Sequence, residues 1–147
     1  MARAYLCDVL EGMIPVGYSG HNKVSRVVML GSPLVDAVPT RFTATRLAGW
    51  IDQHYPGDFY APDVEYLAVA GRCIEGNRNG LPLQRSAYHV YQFISGNGAQ
   101  WGDGIVPISL SIPHGMTHLI LDGIGHSPSV GHAWYGSNST VIGTWWR

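Results

Sequence analysis

Apolar positions along this chain follow two rhythms, one of three and four residues and one of short unbroken runs. From Met1 to Leu10 the positions Leu6, Val9 and Leu10, with Ala2 and Tyr5, recur at three- and four-residue spacings, which predicts an amphipathic helix ending at Gly12. A turn rich in Gly and Pro occupies Gly12 to Gly20. The run Val24 to Leu30 is short and β-branched and stops at Gly31-Ser32-Pro33, as a buried strand does. Leu47, Trp50 and Ile51 predict a helix from Thr43 to His54, closed by Pro56 and Gly57. Tyr66 to Gly71 is a second apolar run and reads as a strand. Gly76 to Gly98 reads as loop, with a short helix around Tyr88 to Ile94. A third strand is expected at His118 to Leu121 and a closing helix at Ser139 to Trp146.

Nearly continuous apolar strands are the habit of parallel sheets covered on both faces, and their alternation with helices predicts an α/β fold, a mostly parallel sheet with helices on both faces. Parallel-sheet enzymes usually use more chain than these 147 residues. The first helix also begins at residue one, without a Ser, Thr, Asp or Asn cap for its free N–H groups. Residues 1–147 are therefore expected to form a single α/β domain that is incomplete at its start.

Composition narrows the partners. A formal net charge of −1, with Lys and Arg scattered singly, offers no basic stripe, so nucleic acid is not an expected partner. No apolar stretch reaches the length of a membrane span, and no signal-peptide pattern opens the chain. Cys7 and Cys73 stand far apart among apolar neighbours and read as buried free thiols.

Functional groups in open α/β sheets collect at the carboxyl ends of strands. Two segments stand out there. Trp101-Gly102-Asp103-Gly104-Ile105-Val106-Pro107 comes after the second strand, and Gly123-Ile124-Gly125-His126-Ser127-Pro128 directly after the third. By itself Asp103 reads equally well as a turn residue between glycines, and His126 as a loop histidine. An acid followed by a histidine, each on a loop behind a strand, is the chain order of the last two members of a catalytic triad. Asp103 would then hold the imidazole Nδ1–H, and His126 would act as general base.

His114 and His118 have a spacing that could hold zinc on a helix, but Gly115 and the adjacent strand argue against a helix there. No metal or other cofactor is expected. Trp134, Tyr135, Trp145 and Trp146 either line an acyl pocket or pack a helix onto the sheet, and packing is the preferred reading. Gly96-Asn97-Gly98 is a loop signal and matches no phosphate-binding fingerprint.

These segments, together with Val24 to Pro33, Tyr66 to Arg72 and Trp134-Tyr135-Gly136-Ser137, resemble the α/β-hydrolase superfamily, close to its lipase-like and GPI inositol-deacylase-like members. The resemblance runs over nearly the whole chain. It implies an ester hydrolase acting on a carboxylic ester, a lipid among the candidates, with Asp103 as catalytic acid and His126 as catalytic histidine. It also implies a nucleophile elbow, Gly-x-Ser-x-Gly, at the start of the helix that here opens at Met1. The serine and the oxyanion donors would then lie before residue one, and this chain would be the C-terminal half of the fold, inactive alone. Among substitutes, Ser19 precedes a strand where an elbow must follow one. Ser32 sits in a structural turn, Ser127 adjoins His126 and would diverge from its ring, and Cys7 has no activating neighbour. The alternative expectation is a non-catalytic, truncated paralogue that pairs its open sheet edge with a strand from a partner chain.

Overall fold

The computed structural model describes residues 24–35, 49–51 and 53–146. Their architecture is α/β: strands and helices are mixed, and the main sheet is parallel. The helix expected over 1–10 lies outside the described residues, as do Cys7, Ser19 and most of the helix expected over 43–54. The described part of that second helix, at 49–51 and 53–54, is helical.

Three strands build the main sheet in the order β1 (Arg26–Leu30), β2 (Glu65–Arg72) and β5 (His118–Asp122), all parallel. Val27 stands opposite Tyr66, and Val69 opposite Leu119. The central strand is buried from Tyr66 to Gly71, and its side chains alternate between two clusters. Tyr66 and Ala68 pack with Val27, Met29, Leu34, Val64 and Met116 on one face. Leu67 and Val69 pack with Ile124 and Tyr135 on the other, where Val141 and Trp145 of the C-terminal helix α3 (Ser139–Trp145) close over them. A Val or Leu buried to this degree contributes about 1.5–3 kcal/mol, so β2 is the anchor of the domain.

The apolar-run reading of a strand covered on both faces holds for β2 but not for β5. That strand stands at the end of the described sheet, and Ile120 is 40% exposed on its open face. An apolar run cannot distinguish a central strand from an edge strand that keeps one face in water.

A larger correction concerns residues 76–98. The short helix expected at 88–94 is the second half of α1 (Pro82–Ser95), which has 14 residues. Pro82, inside the stretch read as loop, occupies the first helical turn, where a missing N–H costs nothing. The Gln84 side chain turns back to accept from the Leu81 amide at 2.9 Å. Gly96, at φ 78°, ends the helix, and Ala87, Tyr91 and Ile94 form its buried face.

This insertion leaves the end of β2 and comes back to it. Two short antiparallel strands, β3 (Ile74–Glu75) and β4 (Trp101–Gly102), close the excursion by pairing Ile74 with Gly102. The segment that follows β4 is thereby returned to the carboxyl end of the sheet. The short helix α2 (Ile108–Ser111) then packs against β2. After β5 the chain forms β6 (Ile124–Gly125), which pairs in parallel with β7 (Ala133–Trp134).

Candidate active site

Parallel strands deliver their carboxyl ends to one edge, and here three glycines mark that edge. Gly31 follows β1, with its amide donating to Val69 O at 2.8 Å, Gly71 lies near the end of β2, and Gly123 follows β5. Asp103 packs into the space beside two of them, Gly31 and Gly71. A Cβ at Gly31 would run into Asp103 Oδ2 and come within 2.7 Å of the Tyr135 hydroxyl, and a Cβ at Gly71 would lie 2.9 Å from Asp103 Cβ. The φ of +50° at Gly31 also favours glycine.

Asp103 is 1% exposed, and its carboxylate receives four donors. Oδ1 accepts from the amides of Ile105 at 3.0 Å and Val106 at 2.7 Å, which is how an aspartate shapes its own turn. Oδ2 accepts from His126 Nδ1 at 2.8 Å and from the Tyr135 hydroxyl at 2.9 Å. The turn contacts and the histidine contact thus use different oxygens of one side chain.

The two loops are also joined through the backbone, where the His126 amide donates to Asp103 O at 2.8 Å. The His126 side chain is 36% exposed, so a buried acid holds a base that opens to solvent. Nδ1 faces the carboxylate, and Nε2 makes no hydrogen bond to any described residue. The hydrogen bond to Asp103 raises the imidazole above its ordinary value near 6.5, outweighing burial, which lowers it, and the carboxylate charge adds to the rise.

Two tyrosines complete the arrangement, and neither role is legible in the sequence. Tyr135 accepts the Gly71 amide at 2.8 Å while donating to Asp103. Tyr91, fully buried on α1, accepts the Gly104 amide at 2.7 Å and donates to Ile74 O at 3.3 Å, fixing the acid loop against β3. Burial, first of all, pushes both phenols up, so both remain protonated donors. The available signal is general: a buried tyrosine needs a partner for its hydroxyl. Packing is nevertheless a correct reading for Tyr135 and Trp145, since both pack on the sheet and Trp145 donates to Tyr135 O at 3.0 Å, whereas Trp146 is 66% exposed.

Of the substitute nucleophiles, the two serines among the described residues make their hydrogen bonds elsewhere than to the imidazole. Ser32 Oγ donates to Leu30 O at 3.3 Å, and Ser127 Oγ pairs with Ser129 Oγ at 2.8 Å. Cys73 is a free, half-buried thiol pushed up by burial and then by the Asp103 charge, the opposite of an activated thiolate. His114 lies in a turn and His118 opens β5, so their spacing falls on no helix. Among the described residues no group of three or more His, Cys, Asp or Glu could hold a metal ion, and no helix is long and apolar enough to cross a membrane. An apolar groove of about 540 Å³, lined by Cys73, Ile74, Leu81, Pro82, Leu83 and Trp101, adjoins the strands that place the acid loop.

Comparison with protein-family models, with curated proteins and with solved structures gave no match.

Proposed function

We propose that Asp103 and His126 are the acid and the general base of a serine ester hydrolase of the lipase-like α/β-hydrolase type, whose nucleophilic serine comes from outside the described residues. The observation that carries this reading is the buried Asp103 Oδ2 holding Nδ1 of a half-exposed imidazole, with Nε2 left to face a reacting group. In such a centre Nε2 takes the serine proton as the hydroxyl attacks the ester carbonyl, Asp103 stabilises the resulting imidazolium, and the proton passes to the departing alkoxide. Water then hydrolyses the acyl-enzyme by the same relay. The serine and oxyanion donors supply most of the rate, so the Asp–His pair without them has negligible activity. The groove that shares Ile74 of β3 and Trp101 of β4 with the strands preceding Asp103 supports a substrate with an apolar group, such as an acyl chain.

The test begins at the 5′ end of the transcript. The complete reading frame, expressed and offered a short-chain nitrophenyl ester, should turn it over and label with a fluorophosphonate. Asp103→Ala and His126→Ala should each lower kcat by about 10³-fold or more. Unchanged turnover in both variants would reject the assignment.

A further inference from the structure

We propose that Tyr135 is a positioning residue for the His126 base: its hydroxyl, locked in one orientation by the backbone of β2, shares Asp103 Oδ2 with the imidazole and thereby sets both the direction and the strength of the base. The inference rests on the acid–base reading above for its relevance to catalysis, but its physical content stands on the hydrogen bonds alone.

A phenol has one proton. The Gly71 amide can only donate, so the Tyr135 oxygen must accept there, at 2.8 Å, and its proton is left for Asp103 Oδ2, at 2.9 Å. Rotating the hydroxyl away would strand a buried donor and a buried acceptor, and the side chain is only 4% exposed. The ring is held as well, since the Tyr135 carbonyl receives Trp145 Nε1 at 3.0 Å and the ring stands edge-on to His126, with centroids 6.5 Å apart.

With Oδ1 occupied by two loop amides and Oδ2 held from the side by Tyr135, the carboxylate cannot rotate to follow a moving imidazole. A second donor on Oδ2 also disperses the charge that would otherwise stabilise the imidazolium. The base is consequently weaker than one facing an unshared oxygen, and a larger share of it is neutral near pH 7. The other titratable groups facing the pair are the Tyr91 phenol and the Cys73 thiol, both pushed up and therefore uncharged in this range.

The test is a histidine titration by NMR on the full chain, with the other six histidines as internal references. Tyr135→Phe keeps the ring and removes the hydroxyl. It should move the His126 midpoint upward while the other midpoints hold. Because that variant leaves the Gly71 amide without its acceptor and could fail to fold, a second series replaces Tyr135 with fluorotyrosines of increasing acidity. These keep the hydroxyl and strengthen it as a donor, so the His126 midpoint should fall stepwise.

A midpoint that stays fixed across the fluorotyrosine series, or moves down in a folded Tyr135→Phe protein, overturns the proposal. The two readings separate cleanly. A titration response in a protein that hydrolyses no ester keeps Tyr135 and removes the hydrolase, and ester turnover with a fixed midpoint does the reverse.

Discussion

Two acid–base pairs stand near the carboxyl ends of the parallel strands, and they behave as different objects. Arg72 of β2 and Asp122 of β5 meet through two hydrogen bonds, Nε to Oδ1 at 2.5 Å and Nη2 to Oδ2 at 2.9 Å. Their side chains are 47% and 70% exposed. The side chains of Asp103 and His126 share a single hydrogen bond of 2.8 Å, yet the acid is buried and three further donors converge on its carboxylate. By geometry alone the first pair is the better one. By consequence it is the lesser, because water screens an exposed pair and already solvates both partners, whereas a buried carboxylate depends on every donor it has. Convergence and burial, rather than distance, are what support the second pair as the candidate chemical centre.

The largest effect expected from breaking this contrast is at Asp103. Asp103→Ala removes the acceptor for two amides, a phenol and an imidazole and should destabilise the fold by about 3–5 kcal/mol in chemical denaturation. The pH dependence should change with it. His126 is raised in the fold, so the pair contributes stability that is fully present below the ordinary histidine value near 6.5 and is lost as pH rises through the higher folded value. That slope should vanish in the variant.

Next comes the floor of the acid's cradle. Gly31→Ala places a methyl against Oδ2 and the Tyr135 hydroxyl at a backbone angle that suits glycine, and should cost about 2–4 kcal/mol by the same measurement. The smallest effect belongs to the exposed pair. Asp122→Ala should leave the thermal midpoint and its salt dependence within experimental scatter, and a clear loss there would mean that the contrast has been drawn wrongly.

Much of this arrangement is legible in the sequence because it is local. The apolar runs at 24–30 and 66–71 and the Gly31 that stops the first of them place two parallel strands, and the order Asp103 then His126 places two loops behind the second and third strands. The misreadings arise where a residue's meaning depends on distant chain. The stretch from Gly76 reads as loop until Gln84 and the buried face of Ala87, Tyr91 and Ile94 make Pro82 the first turn of a helix. The position of β5 at the end of the described sheet follows from strand order, which no apolar run encodes. Tyr135 reads as a packing aromatic because the amide it accepts, from Gly71, lies 64 residues away, and Tyr91 is hidden in the same manner within a helix face.

The most direct measurement of the central claim is the pH profile of kcat/KM for ester hydrolysis by the protein that carries the nucleophile, with Asp103→Asn beside it. A general base must be neutral to work, so the acid limb should have its midpoint above the ordinary histidine value near 6.5. Asp103→Asn should lower the rate by about 10⁴-fold and move that midpoint down. An acid limb that stays in place in Asp103→Asn, with the rate preserved, would contradict the assignment of Asp103 and His126 as acid and base.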